Sequence, residues 1–123
     1  MARETAASAA TELVGIARFT FHEGKVGEFK RLSARCMELV RTEETGTLQY
    51  DIFFNDDESE CVVVERYTSS DALIEHFAHV GDLMEPILAT GSVSGELLGD
   101  PSAELRAKLA DGPVGLFTPF MSK

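Results

Sequence analysis

The residues best suited to chemistry in this chain lie close together, between positions 61 and 79. His76 is the strongest candidate for a general base, because the unperturbed pKa of histidine lies near neutrality. Helical spacing places His76 and Phe77 on the apolar face of a predicted helix, so both could line a cleft. Glu65 and Tyr67 stand at the end of the strand that leads into this helix. We therefore expect this strand–helix junction to form one wall of any pocket.

Each candidate residue also has a purely structural interpretation. His76 could be a core histidine that hydrogen-bonds Glu65 or a backbone carbonyl. Tyr67 and Tyr50 could donate to a phenolate or stack on an aromatic substrate, or they could be ordinary half-buried strand tyrosines. Glu65 could orient His76, bind a substrate hydroxyl, or hold the strand to the helix. His22 could stand at the mouth of the cleft or be an exposed histidine at a strand end.

Other kinds of site find little support in the sequence. His76 and His79 are three residues apart on the predicted helix and could bind a metal with Asp82 or Glu75. Those acids lie on poorly matched helix faces, however, and no third histidine is nearby. A Gly-rich phosphate loop, a serine elbow and a CxxC motif are all missing from the sequence. Each of these absences removes a standard enzyme class, and we expect no metal site.

Composition limits what the chain can bind. Its 123 residues carry 21 acidic and 11 basic side chains, which gives a net charge of −10. Nucleic acids and anionic membranes require clustered Lys and Arg, so neither is an expected partner. Cys36 and Cys61 fall in a predicted helix and a predicted strand, where they are expected to be buried thiols rather than a disulfide. Residues 1–12 contain no long apolar run, so we expect no signal peptide or membrane span and a cytoplasmic location.

Periodicity predicts the elements that would hold the candidate residues. Residues 13–23 alternate as a strand, and residues 25–44 show the spacing of an amphipathic helix that stops before Gly46. Two further strands form a hairpin around turn residues 55–58. The strands of this hairpin cover residues 48–54 and 61–67. The remaining predicted elements are a helix to about residue 79, a second helical piece over 80–90 set apart by Gly81, a weak strand over 92–98, a short helix after residue 100 and an apolar tail over 112–123.

This element order predicts an α+β, ferredoxin-like split βαβ fold, in which an antiparallel four-stranded sheet carries two helices on one face. The predicted division is a flexible arm at 1–12, the ferredoxin-like domain at 13–100, and a C-terminal helix and apolar tail at 101–123. Phe53 points away from Ile52, so both faces of the sheet carry large apolar side chains. The uncovered face predicts a homodimer joined sheet to sheet, and the C-terminal tail could pack on the partner.

The strand–helix junction carries a short motif, Glu65-x-Tyr67-x-Ser69-x-x-Ala72-x-x-x-His76. With the element order, it resembles the antibiotic biosynthesis monooxygenase family over roughly residues 14–100. The resemblance implies a dimeric α+β barrel. Tyr67 stands where the family usually has tryptophan, and the stretch Gly99–Arg106 is similar to an extension carried by some quinol-oxidising members.

The resemblance also implies a function. The family includes oxygenases that insert oxygen into quinols or polyphenols without a metal or flavin, so the implied partners are a small aromatic substrate and dioxygen. His76 would then act as base or anchor, Tyr67 would line the pocket, and Glu65 would orient His76. The substrate contacts expected beside them are Tyr50, His22 and Phe77. The alternatives are a non-catalytic dimeric domain that binds a small ligand, and a haem-degrading relative in which His76 would ligate the iron.

Overall fold

The computed structural model describes residues 11–123, whose elements run in the order β-α-β-β-α-β-α-β. Of the predicted arm at residues 1–12, only Thr11 and Glu12 fall within this range, and the rest of that prediction lies outside the described residues. The elements are β1 (Leu13–Phe21), α1 (Val26–Glu43), β2 (Thr47–Phe54), β3 (Glu60–Tyr67), α2 (Ser70–Leu88), β4 (Gly91–Leu98), α3 (Ala103–Leu109) and β5 (Val114–Phe117).

One sheet organises the described chain, with strand order β2-β3-β1-β4-β5. The first four strands pair antiparallel, as a ferredoxin-like fold requires, and this confirms the predicted fold class. The predicted four strands are one too few. β5, from the apolar tail, pairs parallel to β4 within the same chain, with Leu116 beside Leu97. Pairing with β4 covers Val114 and Leu116, which pack against the core cluster that contains Leu105 of α3, whereas Phe117, Phe120 and Met121 stay exposed.

The two long helices lie on one face of the sheet, and their limits follow from local chemistry. α1 buries Phe29, Cys36 and Val40 along one stripe. α2 begins where the Ser69 hydroxyl accepts a hydrogen bond from the backbone N–H of Ala72 at 3.2 Å.

The predicted break at Gly81 is wrong, since α2 continues through it to Leu88. A glycine inside a helix costs about 1 kcal/mol relative to alanine. Burial of Val80, Leu83 and Ile87 on the same helix more than offsets that cost.

Alternation along the strands decides which side chains face the helices. Ala17, Phe19 and Phe21 of β1 lie on the inner face, as their alternation predicts, and they pack with both helices. The outer face of the sheet carries an Arg18–Glu96 ion pair at 2.6 Å and several apolar side chains, including Phe53 at 56% exposure. Among residues 11–123, no helix is both long and apolar enough to cross a membrane.

Candidate active site

A cavity of about 270 Å³ lies between the inner face of the sheet and the helices. Most of its wall is apolar, and its titratable groups are concentrated where β2, β3 and α2 meet. Residues from α3 and the approach to β5 line another part of it, so the C-terminal segment completes the enclosure. The titratable side chains that reach it from the sheet and the two long helices are Cys36, Tyr50, Glu65, Tyr67 and His76.

The register of β3 determines which of its residues reach this cavity. Glu65 and Tyr67 line it, whereas the side chain of Arg66 pairs with Glu12 outside it. Glu65 has Gly15 as its cross-strand neighbour on β1.

His76 is held in the cavity wall by a buried carboxylate. Its Nδ1 lies 2.9 Å from Oε1 and 3.1 Å from Oε2 of Glu44. The Thr47 hydroxyl donates to the same Oε1 at 2.6 Å. An ionised carboxylate accepts only, so Nδ1 of His76 is the protonated nitrogen and Nε2 carries the lone pair. No residue in the range 11–123 hydrogen-bonds this Nε2.

The carboxylate on His76 is therefore Glu44 and not Glu65, which was the expected orienting residue. Glu44 caps the C-terminal end of α1, thirty-two residues before His76 in the chain. One sequence signal pointed to it: Glu43 and Glu44 place two acids at the negative end of a helix dipole, where acids are unfavourable. An acid in such a position needs a compensating partner, and the two histidines of α2 provide it.

Opposing effects set the charge of Glu44. Burial raises the pKa of the carboxyl, but hydrogen bonds from Thr47 and His79 and the nearby His76 outweigh it. The net result is a pKa below the ordinary value of 4.5. Glu44 is thus a stable anion at neutral pH and a firm acceptor for His76.

Glu65 behaves in the opposite way. Burial raises the pKa of its carboxyl above the ordinary 4.5, although a hydrogen bond from Tyr67 and the proximity of His76 act to lower it. The Tyr67 hydroxyl donates to Glu65 Oε1. Burial, with the charge of Glu65, raises the pKa of Tyr67 far above its ordinary range, so Tyr67 remains a neutral donor.

Tyr50 completes the polar end of the cavity. Its ring centroid lies 5.4 Å from that of His76, and the ring of Tyr67 lies 5.6 Å away, so two tyrosines flank the imidazole. The Tyr50 hydroxyl contacts the Cys36 sulfur at 3.4 Å, which is a weak hydrogen bond. Burial raises the pKa of both groups, and they are therefore a neutral phenol and a neutral thiol.

The structure brings five of the six predicted site residues together, with His22 as the exception. Phe77 lines the cavity, and its ring lies 6.4 Å from that of His76. His22 is exposed just after β1 and is not part of the cavity wall. Within the described residues, no group of three or more His, Cys, Asp and Glu side chains is arranged to hold a metal ion.

Comparisons with known proteins place this geometry in context. A family model described as antibiotic biosynthesis monooxygenase matches residues 13–81. The search of curated proteins found no match.

Solved structures establish the fold. MupZ from Pseudomonas fluorescens superposes with a TM-score of 0.81 at 21% identity, over 93% of this chain and 89% of that one. Rv0793 from Mycobacterium tuberculosis superposes with a TM-score of 0.66 at 25% identity, over 75% of this chain and 97% of that one. SnoaB from Streptomyces nogalater, a cofactor-independent oxygenase, superposes with a TM-score of 0.64 at 21% identity, over 76% of this chain and 97% of that one.

Proposed function

Because the chain belongs to the antibiotic biosynthesis monooxygenase family, we propose that it is a cofactor-independent monooxygenase that oxidises a small quinol or aromatic polyphenol with dioxygen. The observation that carries the proposal is His76, whose Nδ1 is bound to Glu44 and whose Nε2 is left with a lone pair in the wall of an apolar cavity. SnoaB, a cofactor-independent oxygenase of the same fold, gives the proposal a precedent.

The first step is removal of a phenolic proton by Nε2 of His76. The resulting phenolate is electron-rich enough to reduce dioxygen, and the two radicals combine to form a carbon–oxygen bond. Protonation of the peroxide and loss of water then leave the oxidised ring. One oxygen atom enters the substrate and the other leaves as water, and the substrate supplies all the electrons. A quinol plus dioxygen thus gives a hydroxyquinone plus water, so no external reductant is needed.

Tyr50 and Tyr67 are suited to hold the phenolate. Both hydroxyls stay protonated, because burial raises their pKa values. Among residues 11–123, the Tyr50 hydroxyl has only the Cys36 thiol as a hydrogen-bond partner. It therefore loses little by turning to a phenolate oxygen, which is a stronger acceptor. Tyr67 is fixed by Glu65 and supplies a ring wall beside His76.

The size of the cavity favours a substrate of one or two rings. At about 270 Å³ it is slightly smaller than the usual range of ligand pockets, roughly 300–1,000 Å³. A macrocycle such as haem is poorly matched to this volume, so haem degradation is disfavoured. The apolar walls also suit dioxygen, which has no charge or strong hydrogen-bonding group to satisfy.

We further propose that the protein is a cytoplasmic homodimer joined through the outer face of the sheet. The apolar side chains on that face, Phe53 among them, support this arrangement. The cavity opens on the other side of the sheet, so each subunit would keep its own site.

Oxygen uptake tests the proposed reaction directly. Metal-stripped protein is mixed with a panel of hydroquinones and polyphenols, and dioxygen consumption is followed with an electrode. We expect uptake that survives chelation and that falls by roughly 10²- to 10⁴-fold in His76→Ala, the typical contribution of a general base. His22→Ala removes an exposed histidine outside the cavity and serves as the matched control.

Two results would count against the proposal: no uptake with any compound, or full uptake in His76→Ala. The first would favour a non-catalytic domain that binds a small aromatic ligand, and equilibrium binding of the same panel would test that alternative.

A further inference from the structure

Glu44 contacts a second histidine besides His76. Its Oε2 lies 2.9 Å from Nδ1 of His79, and its two oxygens therefore join two imidazoles. Nε2 of His79 in turn lies 3.8 Å from Oε1 of Glu75 at the protein surface. The four side chains form a continuous line from the cavity wall outward.

Exposure rises along this line. The side chains of His76 and Glu44 are 4% and 2% exposed, whereas those of His79 and Glu75 are 28% and 52% exposed. A base that is buried to this extent meets bulk water poorly, and a substrate that fills the cavity would close the remaining approach. His79 hydrogen-bonds Glu44 directly and also reaches solvent.

We propose that Glu44 and His79 form a proton relay that connects His76 with bulk water while the cavity is occupied. The proposal rests on the proposed function, because it takes His76 as the base. His79 would then be a functional residue that acts through Glu44 and His76 without touching the substrate.

The relay moves one proton in at the cavity and one proton out at the surface. A proton taken from the substrate binds Nε2 of His76, and the Nδ1 proton of His76 passes to Glu44. At rest His79 donates its Nδ1 proton to Glu44, so exchange with water must first move the proton of this partly exposed ring to Nε2. Oε2 of Glu44, which contacts both rings, then passes the proton from His76 to Nδ1 of His79, and the Nε2 proton leaves to water. His76 ends in the opposite tautomer and His79 in its resting one, no electron is exchanged, and running the steps backwards returns a proton to His76.

The hydrogen-bond geometry suits this path. The separations of 2.9 Å on both sides of Glu44 are normal N···O hydrogen-bond lengths across which protons transfer readily. Both α2 histidines lie on one side of the helix because they are three residues apart. The Thr47 hydroxyl donates a hydrogen bond to Oε1 of Glu44. The carboxylate therefore cannot turn away from either imidazole ring without losing the hydrogen bond from Thr47.

Exchange of the His76 Nδ1 proton with water tests the relay without any turnover. Nitrogen-edited NMR measures its exchange rate in the wild-type protein and in His79→Gln. Glutamine keeps an N–H donor for Glu44 but cannot carry a proton through its side chain. We expect exchange to slow by at least about tenfold, since the titratable bridge from Glu44 to solvent is lost. In His79→Ala, which vacates the position of the ring, millimolar imidazole should restore fast exchange.

Controls separate the relay from a purely structural role. Asp82→Asn alters an exposed acid one turn further along α2 and should leave the exchange rate unchanged. His79→Phe is a second variant, with a planar ring of similar size, and should behave as His79→Gln does. Unchanged exchange in both His79→Gln and His79→Phe would overturn the proposal, as would slow exchange in His79→Ala that imidazole fails to restore. Neither result depends on oxygen uptake, so failure of the relay and failure of the proposed reaction are distinguishable.

Discussion

Two buried carboxyl groups with opposite electrostatic behaviour dominate the site. Glu44 has three neutral or cationic donors around it and is held ionised. Glu65 has one neutral donor, Tyr67, and burial favours its protonated form. The difference comes from the number of hydrogen bonds that each carboxylate accepts, because both lie in the interior.

These opposite pKa shifts predict opposite effects of pH on stability. The lowered pKa of Glu44 means that its stabilisation is present above about pH 4.5 and is lost as the pH falls through the lower folded-state pKa. The raised pKa of Glu65 means that its contribution is present below about pH 4.5 and is lost as the pH rises through the higher folded-state pKa.

Urea unfolding of Glu44→Gln and Glu65→Gln across this range checks the prediction. With rising pH, the stability gap between wild type and Glu44→Gln should widen, and the gap to Glu65→Gln should narrow. Gaps that move in the same direction would contradict the assigned pKa shifts.

Loss of the Glu44 charge should also affect turnover. In Glu44→Gln, the amide can no longer fix Nδ1 of His76 as the protonated nitrogen, so a fraction of the rings presents N–H to the substrate. We expect kcat to fall roughly 10²-fold with little change in KM, as for loss of an effective general base. Glu43→Gln, an exposed neighbour, is the control, and steady-state oxygen uptake is the measurement. An equal loss in both variants would point to a general effect on α1.

At this scale the sequence identified the groups on α2 and β3 but not their anchor. His76, Tyr67 and Glu65 could be recognised because a strand end and a helix start bring them together within a dozen residues. Two acids at the C-terminal end of α1 indicate that Glu44 needs a partner, but the identity of that partner depends on how α1 packs against α2, which no local pattern encodes. The polar partner of a buried histidine is determined by tertiary packing.

Among the elements, the short α1–β2 connection does most to set the site geometry. It carries Glu44 and Thr47 on either side of Gly46, and it packs directly on the first turn of α2. A Cβ at Gly46 would lie 2.5 Å from the Cβ of Ala72, so only glycine allows this approach. The same contact brings the carboxylate and the two histidines within hydrogen-bond distance.

Gly46→Ala should therefore be costly in two ways. Overpacking against Ala72 is expected to lower stability by about 1–3 kcal/mol. The displaced connection should also weaken the bond between Glu44 and His76 and reduce oxygen uptake.

Gly81→Ala is the matched control, because nothing lies within 4 Å of its Cβ position and a helical alanine should add about 0.5–1 kcal/mol. Thermal unfolding by circular dichroism compares the two variants. Destabilisation in both, or in neither, would contradict the packing described for these glycines.

Periodicity predicted the long elements well and the C-terminal ones poorly. α1 and the β2–β3 hairpin repeat their pattern over enough residues to be unambiguous. β5 has only four residues, and its pairing is parallel and follows a short helix, so only the finished sheet shows where it belongs. The predicted helix break at Gly81 was wrong for a related reason. Burial of neighbouring side chains in the tertiary structure outweighed the low helix propensity of glycine.

The outer face of the sheet carries the prediction for the whole molecule. Phe53→Glu places a charge where a sheet-to-sheet dimer would bury an apolar ring, and desolvation of that charge should favour the monomer. Light scattering after size exclusion should give twice the 13.4 kDa chain mass for the wild type and the single mass for the variant. Ala34→Glu adds a charge to the exposed side of α1 and should leave the dimer intact. A monomeric wild type would contradict the proposed assembly.

The parallel strand β5 has a consequence for how fast ligands come and go. It is joined to the sheet on one side only, over four residues, yet the segment before it encloses part of the cavity through Lys108, Leu109 and Pro113. Edge strands with so few bonds open more often than central ones. Ligand residence time would then depend on the breathing of this terminal segment more than on contacts at the polar end. The opening rate of β5, measured by backbone hydrogen exchange, would then limit the rates of substrate entry and product release.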